Sequence, residues 1–185
     1  MSNHNGTQSK PAHLSWGKFI IWLAFFAFLG ILLLGLLRTQ QGPIAIGKKA
    51  PDFSMISFEG DEIRLSDLRG KVVVLNFWAS WCKPCEQEAA DLEYAWRFYQ
   101  PHGDVIFLGI AWTDTENKSL AYLERFGITY TNGPDLGTRI SQAYRITGVP
   151  ETYIIDQSGT LAYVKLSPFL SFEEIRMAIE PLLED

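Results

Sequence analysis

Cysteine is scarce in this chain. Among 185 residues there are two, Cys82 and Cys85, and the histidines number three. That scarcity excludes a multi-disulfide framework. It also leaves a four-ligand zinc site short of donors, because His4 and His13 precede a long apolar run and only His102 follows the pair. Acidic residues are missing from the first 51 positions, and all 21 Asp and Glu come later. From Ile44 onward 13 Lys and Arg face those 21 acids. An acidic chain without a basic stripe excludes binding to a nucleic-acid backbone and broad adhesion to anionic headgroups.

Charge of either sign is missing from Phe19 to Leu37, FIIWLAFFAFLGILLLGLL. As a helix this run spans ~28 Å, close to the hydrocarbon thickness of a bilayer. It lacks an amphipathic pattern, which argues against a buried core helix. No A-x-A-like cleavage site follows it, which argues against a removed signal peptide. No cysteine follows directly, so a lipidated-cysteine anchor is excluded. A retained single-span membrane anchor is the expectation. Lys10 and Lys18 precede the run, and Arg38, Lys48 and Lys49 follow it. The two sides nearly balance, so the positive-inside rule leaves the orientation open.

The expected organisation is a polar tail (1–18), the anchor (19–37), a linker containing Gly42, Pro43 and Gly47 (38–50), and one domain (51–185). FSMISF, the turn Glu59-Gly60-Asp61 and EIRLSDL read as a hairpin. VVVLNFW (72–78) and DVIFLGIAW (104–112) are continuous apolar runs, as expected of strands covered on both faces. Helices are predicted from about Pro84 to Tyr99, over 115–127 and over 136–145. ETYIID and TLAYVKL around Gln157-Ser158-Gly159 form a second hairpin, and SFEEIRMAIEPLL a last amphipathic helix. Strands alternating with helices predict an α/β fold, a sheet flanked by helices on both faces.

FWASWCKPCEQE (77–88) places Cys82 between a buried strand and a helix start. The first N–H groups of a helix lack partners and bear partial positive charge, which stabilises a thiolate. The thiolate is the nucleophile of disulfide exchange. Cys85 lies one turn further on, within reach of a mixed disulfide at Cys82. So Cys82 is expected to attack and Cys85 to resolve, with Lys83 and Pro84 between them tuning charge and stiffness. Neither a static bridge, which would stabilise little across so short a loop, nor half a zinc site suits the setting as well as a redox dithiol.

Val149-Pro150 precedes a strand. The bond is either an ordinary strand-start proline or a cis bond. A cis bond beside the dithiol would leave the Val149 backbone able to pair with an extended substrate. Glu88, three residues after Cys85, shares its helical face. It is either a solvated helix glutamate or, with a raised pKa, a proton exchanger for Cys85.

WCKPC after VVVLNFWAS, with a Val-Pro downstream, resembles the thioredoxin fold. APDF, LSDLRGK and GVPETYIID resemble more narrowly the membrane-anchored TlpA, ResA and CcmG (DsbE) group, over about residues 48–185. The resemblance implies a thioredoxin-like sheet with an N-terminal hairpin and a central insertion over 104–135. It implies Glu88 as an active-site glutamate, Pro150 as a cis-proline, and Trp81, Val149, Pro150 and Glu151 as the substrate-facing set. Cytosolic thioredoxins have a buried aspartate where this chain has Asn76. Asparagine cannot shuttle a proton, so the acid–base role is expected to fall to Glu88. No cofactor and no metal are implied beyond the Cys82–Cys85 disulfide itself. The implied activity is extracytoplasmic reduction of exported proteins, above all the haem-site cysteines of apocytochrome c, with a membrane dithiol carrier of the DsbD or CcdA kind as electron source.

Two other functions compete. Peroxiredoxins share the fold and the APDF and LSDL lead-in, but their chemistry expects a threonine three residues before the attacking cysteine, and that position is Ala79. A binding domain with a vestigial dithiol is the other.

Overall fold

A computed structural model of the chain describes residues 16–39 and 44–183. The expected tail up to residue 15 and linker residues 40–43 lie outside the described residues. The chain forms two units, divided between Gln41 and Gly42. The first contains one helix, α1 (Trp16–Thr39), whose side chains are exposed almost all round as far as Leu36. It is long and apolar enough to cross a membrane, a property shared by anchors and signal sequences.

The second unit opens with a small hairpin, β1 (Ser54–Ile56) against β2 (Glu62–Arg64). Its main sheet has the order β5-β4-β3-β6-β7. At its centre is β3 (Val72–Trp78), buried along its whole length. On one side β3 pairs in parallel with β4 (Val105–Ala111), and on the other it pairs antiparallel with β6 (Glu151–Ile155). β5 (Thr131–Pro134) and β7 (Leu161–Lys165) form the edges.

The period of two along β3 sorts its residues between two cores. Val73, Leu75 and Phe77 face Phe53, Tyr144 and Tyr153, beneath α4 (Arg139–Tyr144) and the hairpin. Val72 and Val74 face Leu92, Ala95 and Tyr99 of α2 (Lys83–Tyr99) and Ile175 and Ile179 of α5 (Phe172–Ile179). Each such side chain contributes about 1.5–3 kcal/mol through burial. Asn76 has the parity of the second face, a polar residue aimed beneath α2.

One finding departs from the sequence expectations. β5 was not expected, because TNGP is short and ends in proline. An edge strand tolerates Pro134, which need not donate to a further neighbour. Between β4 and β5 the chain forms α3 (Glu116–Phe126), and β5 extends the sheet beyond β4.

Candidate active site

β3 ends at Trp78, and the turn Ala79-Ser80-Trp81 delivers Cys82 to the N-cap of α2. Cys82 and Cys85 are joined as a disulfide. The Cys85 N–H donates to Cys82 Sγ at 3.1 Å, so the sulfur stands where a capping oxygen would, at the positive end of the helix. Pro84 occupies the first turn, where its missing N–H removes no intrahelical bond. Lys83 is exposed and its Nζ donates to Glu86 Oε1 at 2.9 Å.

The loop before β6 meets the dithiol. The Val149–Pro150 bond is cis, and the Val149 carbonyl oxygen lies 3.4 Å from Cys82 Sγ. Pro150 is buried and Val149 half-buried. Residues 67 positions apart in sequence thus form one surface, with the Val149 backbone beside the sulfur.

Glu88 lies one turn of α2 below Cys85 and is 1 % exposed. Its Oε1 accepts from Asn76 Nδ2 at 2.8 Å and its Oε2 from the Phe169 N–H at 2.9 Å. Asn76 Nδ2 also donates to Thr152 Oγ1 at 3.0 Å, so β3 and β6 together fix the amide. Burial pushes the Glu88 carboxyl up to about 7, against the opposing pull of the Phe169 and Asn76 donors. A carboxyl poised there can exchange a proton near neutral pH.

Glu151 is also buried, 3 % exposed, but it faces the loop rather than open surface. Its Oε1 accepts from the N–H groups of Thr147 (2.9 Å) and Gly148 (3.1 Å) and from Thr147 Oγ1 (3.0 Å). Its Oε2 accepts from Tyr153 OH at 2.9 Å. It ties down the backbone of Thr147 and Gly148, the residues that lead into Val149. Trp81, in contrast, is 56 % exposed beside Cys82.

Cys82, Cys85, Val149 and Pro150 are brought together, Asn76 and Glu88 form a layer beneath, and Trp81 and Lys83 lie at the rim. Among the described residues, no group of three or more His, Cys, Asp or Glu side chains could hold a metal ion. Sequence reasoning missed the partners that position these groups. The Phe169 and Thr147 contributions are backbone N–H groups, which no residue type advertises. Tyr122 of α3 donates to the Cys85 carbonyl at 2.9 Å and stacks on Trp78 with ring centroids 4.5 Å apart. Asp114 accepts from the Ser80 N–H at 2.6 Å. Only the fold makes these residues neighbours.

Residues 46–164 match the model of the AhpC/TSA family. The thiol-disulfide oxidoreductase ResA of Geobacillus thermodenitrificans is 33 % identical over 88 % of this chain and 92 % of its own. The thioredoxin-like protein YneN of Bacillus subtilis is 30 % identical over 79 % of this chain and 86 % of its own. A crystal structure of a thiol:disulfide interchange protein of the thioredoxin family from Chlorobium tepidum superposes with a TM-score of 0.68 at 27 % identity, covering 76 % of this chain and 99 % of that one. These likenesses coincide with the domain that holds the dithiol, and the chain belongs to the AhpC/TSA family and, within it, to the thioredoxin-like TlpA/ResA/CcmG group of thiol–disulfide oxidoreductases.

Proposed function

We propose that this oxidoreductase is an extracytoplasmic reductant of exported proteins, with the haem-site disulfides of apocytochrome c as its substrate. One observation carries the exchange chemistry: a buried glutamate lies one turn below Cys85, its carboxyl pushed up by burial to about 7. In the reduced chain the Cys82 thiolate, favoured by the α2 N-terminus, attacks one sulfur of a substrate disulfide. The S–S bond breaks, one substrate thiolate leaves, and a mixed disulfide forms. Glu88 then accepts the Cys85 proton. The Cys85 thiolate attacks Cys82 Sγ and displaces the second substrate thiolate. Two electrons have passed to the substrate, and the chain is left with the Cys82–Cys85 disulfide.

In this reading Val149 pairs with the substrate through its backbone, Pro150 shapes that edge, and Trp81 stands at the rim of the docking surface; the 3.4 Å approach of the Val149 carbonyl to Cys82 Sγ supports it. A dithiol carrier in the membrane, of the DsbD or CcdA kind, would return the chain to the reduced form. The proposal includes a domain plan of tail (1–18), single-span anchor (19–37), linker (38–50) and thioredoxin-like domain (51–185), and it places the domain outside the cytoplasm. In support, the helix α1 has the length and apolarity of a span.

The test is the redox state of the cysteine pair in intact cells, read with a membrane-impermeant thiol reagent added before or after lysis. Labelling before lysis is the expected result, and means an outward-facing dithiol held reduced. Protection until lysis would place the domain in the cytoplasm. Outward-facing but oxidised cysteines would reverse the direction of electron flow. Loss of haem attachment to cytochrome c on deletion of the chain would identify the substrate.

A further inference from the structure

A second tryptophan stands beside Trp81, and nothing in the exchange chemistry requires it. Trp112 follows the last residue of β4 and is half-buried. Its ring centroid lies 6.2 Å from that of Trp81, at an interplanar angle of 50°. Two contacts bind the loop after β4 to the turn that bears Cys82. Trp81 Nε1 donates to the Thr113 carbonyl at 3.2 Å, and the Ser80 N–H donates to Asp114 Oδ2 at 2.6 Å. Thr113 holds φ at 50°, a left-handed conformation that costs a branched side chain of order 1 kcal/mol or more. The Asp114 Oδ1 accepts the Thr115 N–H at 2.8 Å and closes the loop.

These contacts form a strap that ties Trp81 to the loop that bears Trp112. The Trp81 indole N–H is used by the Thr113 carbonyl, so what Trp81 offers a partner is its ring surface. The charge around it has one dominant sign on the strap. Asp114 and Glu116 make no ion pair among the described residues, whereas the cations Lys83 and Arg125 are both turned to Glu86. Lys118 stands on α3 at the far side of Glu116 in sequence. An electron-rich ring surface bordered by carboxylates suits a cation.

We propose that Trp81 and Trp112, held by Thr113 and Asp114, form a shelf that receives a lysine or arginine side chain flanking the attacked disulfide of the protein substrate. The inference deepens the reductant reading and rests on it. The shelf selects among exported proteins by the residue beside the cysteine, while the Val149 backbone pairs with any extended segment.

The experiment uses the full chain, reduced and in detergent, with three peptides that share one disulfide loop and differ only in a flanking lysine, norleucine or glutamate. The readout is the ratio of kcat/KM values between peptides, so a general loss of activity cancels. The expected order is lysine, norleucine, glutamate, with lysine about three- to fivefold ahead of norleucine. Trp112→Ala should bring the lysine-to-norleucine ratio to about one, and Trp112→Phe should restore part of it. Added salt should narrow the lysine-to-glutamate gap. Equal rates for lysine and norleucine, or norleucine ahead, would overturn the cationic shelf. So would a preference for lysine that survives Trp112→Ala. Failure to reduce 2-hydroxyethyl disulfide, which has no flanking residue, would instead overturn the reductant reading itself.

Discussion

Two buried glutamates lie in the elements that carry the dithiol and the Val149–Pro150 loop, and their surroundings differ. Glu88, under α2, receives two hydrogen bonds, one from a side-chain amide and one from a backbone N–H. Glu151, in the loop opposite, receives four donors. Burial costs a carboxylate its hydration, and donors make up for that in proportion to their number and aim. With only two, Glu88 is pushed up to about 7 and can trade a proton with a thiol. Glu151 is an anchor whose oxygens tie down Thr147, Gly148 and Tyr153. Exposure alone would have called the two alike, at 1 % and 3 %.

The comparison has meaning only if exchange runs through the dithiol, which gives the largest expected effect. Cys82→Ser should abolish disulfide reduction. Cys85→Ser should accumulate a mixed disulfide through Cys82, seen by mass spectrometry. Trapping through Cys85 in the Cys82→Ser chain would reverse the assignment.

Next is Glu88→Gln, which keeps the shape and one acceptor oxygen for the Asn76 and Phe169 donors, gives up the other acceptor, and removes the titration. Reduction of peptide disulfides should fall by about 100-fold at pH 8, and the rise in rate through pH 7 should flatten. A second signature is available in the oxidised chain. The folded pKa lies above the ordinary value of 4.5, so the folded state holds an extra proton between 4.5 and about 7. The stability linked to it is fully present below 4.5 and is lost as pH rises through 7, to the extent of ~3 kcal/mol. Denaturant melts at pH 4.5 and pH 8 should differ by that amount less in Glu88→Gln than in the parent. An unchanged pH dependence would mean that Glu88 does not titrate in this window.

How much of this was legible beforehand follows the range of the interactions. The seven-residue run of β3, apolar except for Asn76, announced a buried strand, and Pro84 announced a helix start, because those signals are local. Glu88 could be picked out by its spacing from Cys85. Its raised pKa could not, since that follows from burial in the folded chain, opposed by donors from Asn76 and the Phe169 backbone that are distant in sequence. The family resemblance placed Glu151 among the substrate-facing residues. The alternation of β6 does not say whether the first residue turns outward or back under its own loop, and Thr147 and Gly148 decide that. β5 was missed because four residues at an edge are held by pairing with β4 rather than by their own propensity.

Glu151→Gln should act in the other way. An amide puts N–H against donors that need an acceptor, so a buried group is left unsatisfied at a cost of about 1–3 kcal/mol. The loop should loosen beside Cys82. Reduction of a peptide disulfide that pairs with the Val149 backbone should lose about tenfold in kcat/KM, mainly through KM, while the pH profile keeps its midpoint. A shifted midpoint would give Glu151 a chemical role and erase the distinction from Glu88.

The smallest effect tests how the anchor is itself held. Tyr153 OH donates to Glu151 Oε2 at 2.9 Å, with the Tyr144 carbonyl 3.3 Å away. The ring belongs to the aromatic cluster under the loop, 5.9 Å from Phe77 and 5.2 Å from Tyr144 between centroids. Tyr153→Phe keeps that packing and removes one of four donors. The three that remain are the ones that grip Thr147 and Gly148, so the loop should stay in place. A stability loss of about 1–2 kcal/mol is expected, with kcat/KM for peptide disulfides within about twofold of the parent. If this variant instead lost as much activity as Glu151→Gln, the anchor would work through β6 and the aromatic cluster. The grip on the two loop N–H groups would then not be what places Val149 beside the sulfur.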